Sequence, residues 1–273
     1  MGTTFYHKGV APDENSIESK PPTPLEPVSA EDFARGKRRI ILACVAVALL
    51  AALSGFWIYR RSVDPLDAQR ALEEGRRLLK ADRYTEAILA FDHALALKSD
   101  LADAYILRGR ANMALTRPEP AIQDFTTVTR LRPGSAEAFV DRAAAHLAQQ
   151  DYPAAIADCG EALARDPRLA LAYNLRGMAL RQTGGEQQAL EDFDRAVEIA
   201  PDESNYFQRA ATYQLMGDHK KAISDLDRVI ALIPSSPMGY LARAESRAAI
   251  GDQAGARSDR EAGRLLEGRA PGH

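Results

Sequence analysis

Four prolines, Pro133, Pro167, Pro201 and Pro234, stand 34, 34 and 33 residues apart in the second half of this chain. Between them one pattern recurs: an aromatic residue, an Arg with a small neighbour, Ala before Ile or Leu, an Asp, a bulky residue, Ala or Val, and the proline again. A fixed period of about 34 residues marks helix–turn–helix units stacked into a solenoid. A unit of that size cannot bury its own apolar face and gains a core only by stacking on its neighbours. The fold class is therefore all-α. What such a chain does lies in its surface.

With the proline as position 32, six units run near 68–101, 102–135, 136–169, 170–202, 203–236 and 237–267. Position 4 is Ala71, Tyr105, Phe139, Tyr173, Tyr206 and Tyr240. Position 8 is Gly75, Gly109, Ala143, Gly177, Ala210 and Ala244. Position 20 is always Ala: Ala87, Ala121, Ala155, Ala189, Ala222 and Ala256. Position 24 is Phe91, Phe125, Cys159, Phe193, Leu226 and Arg260. Small residues at 8 and 20 let two helices approach, and large ones at 4 and 24 fill the space between units. Gly184-Gly185, Gly217-Asp218, Gly251-Asp252 and Gln150-Asp151 read as turns, with Asp capping the second helix. Pro118, Pro120 and Pro153 fall in the first turn of a second helix or just before it, where a missing N–H costs little. Arg260 and Gly263 occupy the positions that would pack on a seventh unit, and the last helix is mostly polar, so it reads as the end cap.

The pattern resembles the W-x2-L-G-x2-Y…A-x3-F…P signature of the tetratricopeptide repeat family, over residues 68–267. The resemblance implies twelve helices in a right-handed superhelix. It also implies a concave groove lined by first-helix positions 2, 5, 6, 9, 12 and 13. Carried onto this chain, those positions give Arg76, Ile106, Arg110, Met113, Val140, Asn174, Met178, Arg181, Phe207 and Gln214 as candidate partner-binding residues. Such residues either meet a ligand or hold adjacent first helices together, and the sequence leaves both open. Family members that bind chaperone C-termini use Lys and Asn at positions 5 and 9 of a first unit. Here Leu72 and Arg76 stand there, followed by Leu107, Glu137 and Asp141, so that clamp is missing.

The chain departs from the family pattern at position 7, usually apolar, which is Arg108, Arg142, Arg176, Arg209 and Arg243 in units two to six. Each has an Asp sixteen residues later: Asp124, Asp158, Asp192, Asp225 and Asp259. Unit one has Glu74 and Ala90 instead. Antiparallel helices would bring each Arg to its Asp, in the two-bond geometry that guanidinium and carboxylate favour. A charge supplied with its complement at fixed spacing in the same repeat is a structural staple.

Residues 40–59 carry no charge, and as a helix they would span about 30 Å, the thickness of a bilayer's hydrocarbon. Trp57 and Tyr59 close the run, as interfacial aromatics do. A signal peptide fits poorly, since the leader is long and apolar residues continue past Ala46-Val47-Ala48. A lipoprotein site at Cys44 lacks a preceding apolar stretch. The expectation is one transmembrane helix over 40–59, a disordered Pro-rich tail over 1–39, a linker over 60–67 and a frayed end over 268–273. Arg35, Lys37, Arg38 and Arg39 outnumber Arg60 and Arg61. That places the N-terminus in the cytoplasm and the repeats outside it, in a bacterium the periplasm.

The formal net charge is −3, which argues against nucleic acid as a partner. Cys44 and Cys159 cannot meet, and Cys159 reads as a small buried hydrophobe. None of His7, His93, His146, His219 and His273 has a metal-spaced neighbour, and no Gly-rich phosphate loop or nucleophile elbow exists. No catalysis, cofactor, metal or small-molecule substrate is expected. Two functions fit: a membrane-tethered scaffold that holds partner protein or peptide segments in its groove, or a permanent architectural subunit of a membrane complex.

Overall fold

In the computed structural model, residues 45–54 and 66–268 are described. Residues 45–54 form an exposed helix belonging to a separate compact unit from the repeats. No helix among the described residues is long and apolar enough to cross a membrane. The remainder of the 40–59 span, the tail over 1–39, residues 60–65 and residues 269–273 lie outside the described residues.

The repeats form twelve helices. Helix α1 runs over 66–80, taking in the last two residues assigned to the linker. It is followed by α2 (Tyr84–Leu97), α3 (Ala102–Ala114), α4 (Pro118–Leu131), α5 (Ala136–Ala148), α6 (Tyr152–Arg165) and α7 (Ala170–Gln182). Then come α8 (Glu186–Ile199), α9 (Glu203–Leu215), α10 (His219–Leu232), α11 (Pro237–Ala249) and α12 (Gln253–Glu267). Asp151, Asp218 and Asp252 cap α6, α10 and α12 by accepting a backbone N–H three residues on. Such a cap contributes about 1 kcal/mol. Every turn inside a pair carries one residue with positive φ at position 15: Asp82, Thr116, Gln150, Gly184, Gly217 and Gly251.

Two size rules set the packing. Where position 24 is Phe, position 8 is Gly, and the ring lies where a Cβ would be. A Cβ on Gly109 or Gly177 would sit 2.7 or 2.8 Å from Phe125 or Phe193, and one on Gly75 would meet Phe91. Where position 24 is Cys159, Leu226 or Arg260, position 8 can be Ala143, Ala210 or Ala244. The second rule joins units. Positions 3 and 10 of the first helices are small and buried, as in Ala104 and Ala111, Ala138 and Ala145, and Ala172 and Ala179. They draw the next first helix in closely enough to bury the position-5 side chains Leu72, Val140 and Asn174 of the preceding units, while Ile106 and Phe207 at the same position are only partly buried. Leu72 thus clusters with Ala104, and Val140 with Ala172.

Among the described helices from α3 on, each first helix touches the next first helix, while no second helix touches the next second helix. The first helices are therefore the inner, tighter row. At the far end, Gly263 does not face away from the stack. It is buried and leaves its Cβ space to Leu241 of α11.

Candidate partner-binding face

The five Arg–Asp pairs form as the sequence implies. Nε and Nη2 of each arginine donate to the two oxygens of its own aspartate, at 3.0 and 2.6 Å for Arg108–Asp124 and 2.8 and 2.7 Å for Arg209–Asp225. Arg142, Arg176 and Arg243 do the same with Asp158, Asp192 and Asp259. Each guanidinium also lies 5.4–5.7 Å from the ring at position 4, from Tyr105 to Tyr240. The bonds to Asp124 hold Arg108 above its usual range, while burial raises the Asp124 carboxyl against the pull of Arg108.

A second arm escaped the sequence reading. The free Nη1 of Arg108, Arg209 and Arg243 reaches back to Asp92, Asp194 and Asp227 at position 25 of the preceding second helix. Three staples thus join neighbouring units as well as the two helices of one unit. Arg142 finds only the hydroxyls of Thr126 and Thr129, at 3.3 and 3.4 Å. For Arg176 the equivalent residue is Gly160, which has nothing to offer. An Asp sixteen residues before the Arg, as well as sixteen after, was the signal available for Arg108 and Arg243.

The ten residues carried over by resemblance do not form one open surface. Val140 and Asn174 are interior, 4% and 5% exposed, because the next first helix covers these two. Asn174 donates to Asn205, whose own amide donates to the Ala200 carbonyl. Met113 packs on the Ala121–Phe125 cluster, and Phe207 on Ala210, Ala222 and Leu226. Arg76 pairs with Asp103 and Arg110 with Asp141, holding successive first helices together. Ile106 lines an open cleft of about 550 Å³ between α1 and α3.

Position 12 does a matching job further along. Arg181 Nη1 donates to the Gln208 carbonyl and the Thr212 hydroxyl of α9, and Nη2 to the Gln208 side-chain oxygen. Gln214 donates to the Ala242 carbonyl and the Ser246 hydroxyl of α11 in the same pattern. Met178, one turn before Arg181, is half-buried. The first helices of units four to six also expose large apolar side chains: Leu171 near the start of α7 is 55%, Leu215 at the end of α9 61% and Met238 near the start of α11 57% exposed.

No His, Cys, Asp or Glu cluster among the described residues could hold a metal. Cys159 is buried and its thiol is pushed up to about 12 by that burial, which disfavours the nucleophilic thiolate.

Antiparallel helix pairs repeated about every 34 residues, with first helices inside and second helices outside, define a helical-repeat scaffold. The chain belongs to the tetratricopeptide repeat family: models described as "Tetratricopeptide repeat" match residues 72–136, 107–169, 140–204 and 204–236. Members of this family generally act as protein-binding scaffolds. Human tetratricopeptide repeat protein 6 is 26% identical over 164 residues, 59% of this chain and 32% of that protein. The human mitochondrial import receptor subunit TOM70 is 28% identical over 176 residues, 62% of this chain and 28% of the receptor. The chain thus spans about a third of the length of the curated relatives it matches. The solved structure of Pseudomonas aeruginosa pilF has the same fold, with a TM-score of 0.64 at 16% identity over 77% of this chain and 95% of that one.

Proposed function

We propose that the chain is a membrane-tethered, non-catalytic scaffold that holds segments of partner polypeptides along the inner row of repeats four to six. The observation that carries this reading is the exposure of large apolar side chains on three successive first helices, Leu171 on α7, Leu215 on α9 and Met238 on α11, with Met178 half-buried on α7. In a unit whose polar inner residues mostly hold the stack together, that set has no structural duty. Apolar side chains spread along successive first helices suit the apolar side chains of an extended or helical segment. A relative named as an import receptor subunit supports the reading, since a receptor is a binding module. The uncharged run over 40–59 is read as the anchor, with the N-terminus cytoplasmic and the repeats on the other face of the membrane. Residues 60–65 reach at most about 20 Å, so partners at the bilayer meet the repeats at high effective concentration.

Photo-crosslinking in cells expressing the full chain tests the binding face. A photoreactive side chain replaces Met178 or Leu215, with Glu191 on the outer row as the control. Discrete protein adducts from the inner positions and none from the control are expected. Adducts from Glu191 alone would instead mark an architectural subunit docked through its outer row. The anchor has its own check: the full chain should stay with membranes in alkaline carbonate, and its release would remove the tether from the proposal.

A further inference from the structure

The two position-12 side chains pose a question of charge. Gln214 and Arg181 make equivalent bonds to the next first helix, one to a position-6 carbonyl and one to a position-10 hydroxyl. A neutral amide is enough for that task, so the positive charge of Arg181 is surplus to it. No carboxylate compensates the charge, which meets only the face of the Phe193 ring, 5.7 Å from its centroid. Among the described residues, every other half-buried arginine on a first helix faces a carboxylate within 4 Å, as Arg76 faces Asp103 and Arg247 faces Asp259. Arg181 has none, and its described partners are all neutral. Burial pushes its guanidinium below the usual value, the reverse of the stapled arginines. Its Nε makes no hydrogen bond among the described residues. On the five staples, Nε and Nη2 form the edge that grips a carboxylate. On Arg181 that edge holds only the flexible Gln208 amide.

We propose that Arg181 selects a carboxylate on the bound segment, gripping it through this Nε–Nη2 edge while the segment's apolar side chains dock on Leu171, Met178 and Leu215. This rests on the reading of the inner face given above and names the chemistry of its partner: a polypeptide with a carboxylate set among apolar residues. A half-buried, unpaired cation beside apolar surface is a position where an incoming carboxylate regains what burial cost the guanidinium. It also discriminates, because a segment without the acid leaves the charge unpaired. The carboxylate has two sources, an Asp or Glu side chain or a free C-terminus.

Fluorescence anisotropy on the full-length chain distinguishes them. Three labelled leucine–serine dodecapeptides serve as probes: one with a central Asp and an amidated end, one with Asn and an amidated end, and one with Asn and a free C-terminus. At least one carboxylate probe is expected to bind about tenfold more tightly than the Asn amide. Which of the two does so identifies the source. Arg181→Gln keeps the packing bonds that Gln214 shows are possible, so it should leave the melting curve in place, bind the Asn amide as before and lose the discrimination. Equal binding of all three probes by the wild type, or discrimination that survives Arg181→Gln, overturns the role of Arg181 and leaves the binding face standing. Failure of every probe to bind overturns both.

Discussion

At the scale of single residues, the core runs on a trade between positions 8 and 24. Phe91, Phe125 and Phe193 stand against glycines, while Cys159, Leu226 and Arg260 stand against alanines. Gly109→Ala should therefore cost about 1–3 kcal/mol, the penalty for overpacking a filled core. Phe125→Leu should relieve much of it, since Leu226 beside Ala210 is that pair already built in unit five. Thermal or urea unfolding of the two single variants and the double reads the coupling, and simple additivity would show that the ring and the missing Cβ do not compete. The residue types at both positions stood out in the sequence, and so did the Arg–Asp staples, because a fixed spacing repeated five times leaves one geometry. The inner face was less legible. Position 5 reads as groove surface, yet whether Val140 or Asn174 is seen by a partner depends on how closely the next helix approaches. Ala172 and Asn205 decide that, and they lie about 30 residues further along. The surplus charge of Arg181 became visible only beside Gln214 in an equivalent set of bonds.

At the scale of elements, each helix pair turns through a left-handed residue at position 15, but only units four to six place Gly there. Asp82, Thr116 and Gln150 hold φ near 55, 54 and 63°. The helical spacing and the aspartate caps were plain in the sequence. The left-handed residue was plain only where it is Gly, because Asp, Thr and Gln carry no comparable mark of backbone conformation. Thr116 is the most strained of the three, since a β-branched side chain at positive φ crowds the backbone. The left-handed conformation costs an L-residue about 1–2 kcal/mol. Glycine returns part of that through the larger entropy it loses on folding, about 0.4–1 kcal/mol. Strain wins, so Thr116→Gly should stabilise the repeats by roughly 0.5–1 kcal/mol, seen as a higher melting temperature. The reverse change, Gly217→Thr, should lower it. A destabilised Thr116→Gly would mean that the Thr116 hydroxyl, which donates to the Leu115 carbonyl, matters more than the backbone strain.

At the scale of the whole solenoid, stability is a sum of unit terms and nearest-neighbour terms, and the weakest junction sets where the stack opens. The second arm of the staple spans the junctions of units one and two, four and five, and five and six, through Asp92, Asp194 and Asp227. It is reduced to hydroxyls between units two and three and is absent between three and four, where Gly160 stands in mid-helix on α6. A Cβ at Gly160 would meet nothing within 4 Å, so a side chain there has room. Gly160→Asp should act twice. It removes the entropy cost of a helix-interior glycine, though Asp is itself a modest helix former, and it adds a half-exposed ion pair to Arg176 worth about 0.2–1 kcal/mol. The combined gain should be roughly 0.5–1.5 kcal/mol. Hydrogen exchange should show the added protection centred on α6 and α7. Gly160→Ala separates the two contributions. It should capture at least the helix-entropy part, and the ion-pair part should appear only in the Asp variant and fade in high salt. If the Asp variant gains nothing at low salt beyond its helix propensity, the second arm carries no junction energy. The stack would then be held by its apolar contacts and the first arm alone.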